Sequence, residues 1–190
     1  MSKTILYICL MVAISFACRK SSARTLAEAT ELLTYQDVVY DASYYSIPYP
    51  NGDVPADRGV CADVVIRAYR LLGIDLQKEV HEDMADNFSE YPNNWGLTRP
   101  DKNIDHRRVP NLMTFFAKHG ETKAITYNPA DYVPGDIVCW MVVGSRPHIG
   151  IVANEKSFDG VRYQIVHNIG SGQVMEDRLF DFQIIGHYRY

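Results

Sequence analysis

Cys61 has the clearest potential for chemistry, because it lies where a glycine-containing loop runs into an amphipathic helix. Apolar residues recur after it at the spacing of one buried helical face: Val64, Val65, Ala68, Leu71 and Leu72. This pattern predicts a helix that begins close to Cys61 and ends at Gly73. Unpaired backbone N–H groups in a first helical turn favour a thiolate, the form that attacks carbonyl carbon. The alternative is a cysteine that only packs in the core.

Two histidines follow in regions that read as strands. His148 comes directly after Pro147 and opens one predicted strand, and His167 ends the next. A hairpin between adjacent antiparallel strands brings such positions together. A cysteine facing this pair would form the nucleophile, base and orienting residue of a thiol hydrolase. Taken singly, each histidine is more often structural.

The elements that position these residues divide the chain into two unequal halves. Helical periodicity is found over residues 24–39, 61–72, 76–88 and around 112–116, with loops over 40–60 and 91–110. Short β-branched and aromatic runs follow over 136–143, 148–152, 162–167 and 184–190. We therefore expect an α+β fold, with N-terminal helices packed on one face of a C-terminal antiparallel meander.

The N-terminus indicates export. A short positively charged start precedes the apolar run Thr4–Ala17, which is too short for a permanent membrane span. Small residues before Cys18 resemble a bacterial lipoprotein cleavage box, and ordinary cleavage near Ala17 is the alternative. We expect a signal peptide over 1–17, lipidation of Cys18, a tether over 18–30 and a single domain over 31–190. The expected location is the periplasmic side of the outer membrane, with the lipid anchor as the sole membrane contact.

Charge and cysteine content limit the expected partners and disulfides of the protein. Residues 18–190 hold 18 basic and 23 acidic side chains, so nucleic acid is not an expected partner, and we expect a monomer. Beyond the leader and Cys18, the remaining cysteines are Cys61 and Cys139. In an oxidising compartment these two could form a disulfide. The apolar strand around Cys139 instead predicts a core residue.

Four segments carry a family resemblance: Pro55–Tyr69, Val80–Met84, Asn103–Val109 and Ile185–Tyr190 resemble a family known as domain of unknown function 1287. The order of the cysteine helix, 134–138, 148–152 and 165–167 also resembles the NlpC-type cell-wall cysteine peptidases. That likeness implies a papain-like fold and a triad of Cys61, His148 and His167 that cuts peptide bonds in peptidoglycan stem peptides. It also implies that Tyr49, between Pro48 and Pro50, helps to hold the oxyanion; the alternative is a tyrosine that only packs over the core. Asp63 stands where those peptidases usually have serine, and residues 74–120 are longer and more polar.

Other polar residues could have either a functional or a structural role. Trp95 offers a flat wall, and Arg107 and Arg108 offer carboxylate clamps, so with Asp63 they are candidates for substrate binding. Exposed arginines at a helix start are the alternative. A second polar set contains acceptable metal ligands but has no fixed zinc spacing: His81, Glu82, Asp83, Asp101, Asp105 and His106. We expect no metal and no cofactor.

The sequence thus predicts a cysteine peptidase or amidase that acts on peptidoglycan peptide. Cys61 attacks, His148 acts as base and then acid, His167 orients it, and a backbone N–H near Cys61 holds the oxyanion. Two alternatives stay open: a non-catalytic module that binds peptidoglycan or protein, and an acyltransferase with the same triad.

Overall fold

A six-stranded antiparallel sheet with helices on one face forms the centre of the molecule. The computed structural model describes residues 24–142 and 144–190. The helices are α1 (Leu26–Leu33), α2 (Cys61–Leu71), α3 (Leu76–Asn87) and α4 (Val109–His119). The sheet has the order β3-β8-β4-β5-β6-β7, built from β3 (Glu121–Thr122), β4 (Ile137–Val142), β5 (Arg146–Lys156), β6 (Tyr163–His167), β7 (Val174–Glu176) and β8 (Gln183–Arg189). The predicted α+β class and the antiparallel sheet are confirmed.

The topology corrects the expected meander in one respect. Strands β4 to β7 are sequential neighbours, but β8 returns to pair with β4 on the other side. The short strands β3 and β7 escaped prediction. So did a parallel pair in the loop over 40–60, formed by β1 (Val39–Tyr40) and β2 (Arg58–Gly59). This pair matters for the site, because β2 leads directly into α2.

Helix α2 has the predicted ends. The Val60 N–H donates to the Asp63 carboxylate at 2.7 Å, which satisfies a donor at the helix start. At the other end Gly73 has φ of +83°, and the Ile74 N–H donates to the Tyr69 carbonyl at 3.0 Å. The predicted apolar face is wrong at Leu71, which is 45 % exposed because it lies in the last turn, beyond the sheet.

Helix α1 is shorter than predicted and begins earlier than the expected domain boundary. Thr25 and Glu28 form a capping box at its start, and the buried Ala27 and Ala29 pack toward α2 and β5. Residues 26–30 therefore belong to the domain rather than to a tether. The helix ends at Leu33, since the chain must extend for the Val39 N–H to donate to the Asp57 carbonyl at 2.8 Å.

Two apolar layers cover the sheet. The larger, helix-facing core includes buried side chains of α1, α2, α4 and β5. The smaller core on the opposite face contains Tyr132, Trp140, Ile165, Leu179 and Ile184, which loops rather than helices cover. The predicted helices on one face are thus confirmed. In the described part of the chain, we find no helix with the length and apolar character needed to cross a membrane. The predicted signal peptide and Cys18 lie outside the described residues.

Candidate active site

The Cys61 thiol lies at the meeting point of α2 and β5. Cys61 is the first residue of α2, is 7 % exposed, and borders an open cleft of about 390 Å³. Burial raises the pKa of its thiol, and the nearby backbone N–H groups of Ile149, Ala62 and Cys61 oppose that effect. The sulfur is therefore held beside the peptide that follows His148.

The two predicted histidines are in direct contact. His148 Nε2 and His167 Nδ1 are 2.8 Å apart, and both residues are almost fully buried. In the register of β5 and β6, Ile151 lies opposite Val166, so His148 and His167 share the face of the sheet that carries Trp140. The hairpin thus brings together the positions that strand spacing predicted.

Gly150 permits this contact. A Cβ atom at this position would lie 2.7 Å from Ile165 Cγ2 and 3.0 Å from the Val166 carbonyl oxygen, and would also crowd the His167 Cβ at 3.1 Å. A larger residue would therefore force β5 and β6 apart next to the histidine pair.

Glu176 extends the row of hydrogen-bonded side chains. Its Oε2 atom lies 3.0 Å from His167 Nε2 and 3.5 Å from Arg178 Nε. Glu176 is the last residue of β7, a three-residue strand with no clear signal in the sequence. Sequence reasoning accordingly missed it.

Burial controls the protonation of the site. It raises the pKa of the Cys61 thiol to about 11, against the opposing effect of the Ile149 N–H, and it lowers the pKa of His148 to about 3, with His167 adding to the effect. At neutral pH the resting pair is a thiol and a neutral imidazole. The expected thiolate is therefore wrong for the resting site, because desolvation outweighs the backbone N–H groups of the first helical turn.

The same burial predicts acid sensitivity of the fold. The pKa of His106, like that of His148, is lowered by burial from 6.5 to about 3. Unfolded histidines bind protons below about 6.5 whereas these do not, so stability should fall as the pH drops from about 6.5 toward 3. Each contributes up to about 1.4 kcal/mol per pH unit. Urea unfolding at pH 7 and pH 5 measures the loss, and His106→Asn should make it smaller. An unchanged pH dependence in His106→Asn would contradict this assignment.

Asp63 and Arg107 form a buried ion pair behind the cysteine. Arg107 Nε and Nη2 donate to the two Asp63 oxygens at 2.8 and 3.0 Å, and each side chain is 2 % exposed. Arg107 also donates to the Ser43 carbonyl at 3.1 Å. The pair therefore connects the start of α2 to the loop that carries one wall of the cleft.

The remaining candidates from the sequence lie around the same cleft. Arg107, Arg108, Trp95 and Asn94 line it with Cys61. The Arg108 guanidinium lies 4.0 Å from the centroid of the Trp95 ring. Asp105 accepts from Arg108 at 3.1 Å and is itself 1 % exposed. The cleft thus presents the Arg108 guanidinium and an exposed indole, whereas the Arg107 guanidinium is held by Asp63.

Tyr49 is a predicted site residue that lies away from the cleft. Asp63, His148 and His167 are likewise absent from its lining. The Tyr49 ring packs edge-on against His81, with centroids 5.1 Å apart, and Lys102 lies over it. Tyr40 lines the cleft beside Cys61 instead, because β1 pairs with the strand that enters α2. Burial, followed by the sulfur of Cys61, raises the pKa of the Tyr40 phenol. It therefore stays protonated at neutral pH and can donate.

The polar set considered for a metal is dispersed among other partners. Asp83 accepts from Tyr91, Lys118 and His119, and Asp105 is bonded to Arg108 and to the Asp101 N–H. Within residues 24–142 and 144–190, no group of three or more His, Cys, Asp or Glu side chains is arranged to hold a metal ion.

Cys139 is fully buried and, like Cys61, is a free thiol, in agreement with the predicted core position.

Fold and site together define an α+β domain with a thiol at a helix start and a buried histidine pair on two adjacent strands. A family model described as a domain of unknown function, DUF1287, matches residues 27–190, and the chain belongs to that family. The chain is also similar to the uncharacterized protein YijF of Escherichia coli (strain K12). The two are 55 % identical over 151 residues, which cover 80 % of this chain and 73 % of the relative.

Proposed function

We propose that the protein is an exported cysteine peptidase or amidase of papain-like, NlpC-type architecture that cleaves amide bonds in peptidoglycan stem peptides. The observation that carries the proposal is the row formed by His148, His167 and Glu176, together with the position of Cys61 near the backbone of Ile149, the residue that follows His148. Thiol hydrolysis requires a nucleophile, a base that takes its proton, and a group that orients the base.

The protonation of the resting site favours general-base attack. As the Cys61 sulfur adds to the carbonyl carbon, the thiol proton passes to His148 and the carbonyl oxygen becomes an oxyanion, which backbone N–H groups at the start of α2 stabilise. The His148 imidazolium then protonates the leaving amine. Water, deprotonated by the same imidazole, resolves the thioester and regenerates the thiol.

The lining of the cleft supports an acidic peptide as substrate. Arg108 faces the cleft with a side chain that is 16 % exposed, and its partner Asp105 is buried. Arg107 also borders the cleft, but its guanidinium is buried and held by Asp63, so it adds positive charge rather than a free hydrogen-bond donor. No carboxylate of the described residues lines the cleft. A stem peptide carries several carboxylates, which guanidinium groups bind in a bidentate manner. Export rests on residues 1–18 and is part of the proposal.

Digestion of purified muropeptides tests the proposal. The mature protein is incubated with them, and mass spectrometry compares the products with those of Cys61→Ala. Hydrolysis adds one water to each cleaved bond and identifies that bond. Fragments that are joined to one another without added water would indicate acyl transfer instead. Muropeptides that are not cleaved but stay bound to the protein would indicate a binding module.

Tyr40 provides a second test of the cleft. Tyr40→Phe keeps the ring and removes the O–H, so we expect kcat to fall on the order of 10²-fold if this group donates to the oxyanion. Tyr49→Phe is the matched control and should retain wild-type kcat, because Tyr49 packs on His81 away from the cleft. The reverse order of effects would restore Tyr49 as the donor.

A further inference from the structure

Glu176 is the outermost member of the row that begins at His148. Cys61, His148 and His167 are 7 %, 4 % and 1 % exposed, whereas the Glu176 side chain is 34 % exposed. Trp140, Ile165, Phe182 and Arg178 line the space beside the histidine pair, and the two ring nitrogens are 2.8 Å apart. The contact from His148 to His167 is thus direct, and Glu176 is the charged group that ends the row.

The hydrogen-bonding capacity of each group fixes the protons in this row. An ionised carboxylate has acceptors and no donor, so His167 must donate its Nε2–H to Glu176. Burial lowers the pKa of His167 and of His148, so each ring is neutral and carries one N–H. His167 Nδ1 is then a lone pair, which accepts the Nε2–H of His148 at 2.8 Å.

This arrangement of protons determines the state of the other ring nitrogen of His148, Nδ1. With its proton on Nε2, His148 has a lone pair on Nδ1, the ring nitrogen nearer to its own backbone. The next residue along β5 is Ile149, whose backbone N–H opposes the effect of burial on the pKa of the Cys61 thiol. Under the proposed function, the Nδ1 lone pair is the one that takes the thiol proton.

In the opposite arrangement the base would be lost. If His167 carried its proton on Nδ1, it would donate to His148 Nε2, and His148 would hold its own proton on Nδ1. That tautomer cannot accept a proton from a thiol. Nothing in the contact between the two rings distinguishes these arrangements, since both contain one N–H donor and one lone pair.

We propose that Glu176 is a positioning residue that sets the tautomers of both histidines and so makes His148 Nδ1 the base. The catalytic part of this inference rests on the proposed function, and the tautomer part does not. Arg178 lies on the far side of Glu176, 3.5 Å from the same oxygen that accepts from His167, and keeps the carboxylate at this end of the row.

Nitrogen NMR of ¹⁵N-histidine-labelled protein at neutral pH tests the tautomers directly. In the wild type, His148 and His167 should both carry the proton on Nε2. Glu176→Leu removes the acceptor and should populate the Nδ1–H form of His148. Glu176→Gln preserves the size of the side chain, but its amide can donate as well as accept, so it should populate both tautomers of His148. It provides the second variant if Glu176→Leu does not fold. Asp177→Asn is the control, because this neighbouring carboxylate pairs with Arg162 at 2.6 Å.

Kinetics then separate this inference from the proposed function. On a muropeptide substrate, Glu176→Leu should lower kcat on the order of 10²-fold with KM unchanged, and Glu176→Gln should lower kcat by less because a part of the population keeps the active tautomer. If His148 keeps its proton on Nε2 in a folded Glu176→Leu protein, the inference is wrong whatever the activity. If the tautomers change as expected but the wild type cleaves nothing, the proposed function is wrong and the tautomer assignment holds.

Discussion

Cys61→Ala should abolish turnover of muropeptides, with a loss of kcat on the order of 10⁶-fold, the scale associated with removal of a covalent nucleophile. Cys139→Ala should retain activity within about twofold when both are assayed well below the unfolding temperature. The two thiols form a matched pair, since both are free and buried and only Cys61 borders the cleft. Rates of product formation, measured by liquid chromatography, provide the comparison.

Alkylation supplies an independent readout of the same pair. Iodoacetamide should modify Cys61 before Cys139, because Cys139 has no exposed surface. Both reactions should be slow at neutral pH and faster as the pH rises toward 11, since burial raises the pKa of the Cys61 thiol to about that value. Preferential modification of Cys139, or full activity of Cys61→Ala, would exclude Cys61 as the nucleophile.

Arg107→Ala should lower the free energy of unfolding by about 3–5 kcal/mol, because it leaves the Asp63 carboxylate buried without its partner. Asp63→Ala should be similarly costly, since it removes the acceptor of both Arg107 and the Val60 N–H. The double variant should lower the free energy of unfolding by less than the sum of the two single variants, because no unpaired charge is then left buried. Urea unfolding of the four proteins at pH 7 measures these differences.

The exposed pair Lys78 and Glu82 is the control for this cycle. It has the spacing of one helical turn on α3, a separation of 3.9 Å, and side chains that are 50 % and 58 % exposed. Lys78→Ala should therefore change stability by less than about 0.5 kcal/mol. Additive effects of Asp63→Ala and Arg107→Ala would show that the two groups do not stabilise each other in solution.

Local signals account for what could be predicted from the sequence. The ends of α2 depend on Asp63 and on Gly73, which act within a few residues of the helix, so both ends were predictable. The contact between His148 and His167 was also accessible, because consecutive antiparallel strands are neighbours. The family resemblance added the order of these elements and agrees with the matched family.

The features that could not be predicted from the sequence depend on tertiary contacts. The return of β8 to β4 joins residues far apart in sequence, and the two-residue pair of β1 and β2 has no periodicity to detect. Tyr40 reaches the cleft through that pair, whereas Tyr49 was chosen from its separation along the chain, which does not fix a distance in space. The thiolate expectation considered the first turn of α2 alone and omitted the burial that the sheet imposes on Cys61.

The close approach at Gly150 has a consequence for comparing members of this family. A side chain there would separate β5 from β6 at the histidine pair, although no reacting atom would be altered. A homologue could thus keep Cys61, His148 and His167 in its sequence and still have lost the contact between the two rings. Inspection of relatives for activity should therefore ask for a glycine two positions after the first histidine, and not for the three reactive residues alone.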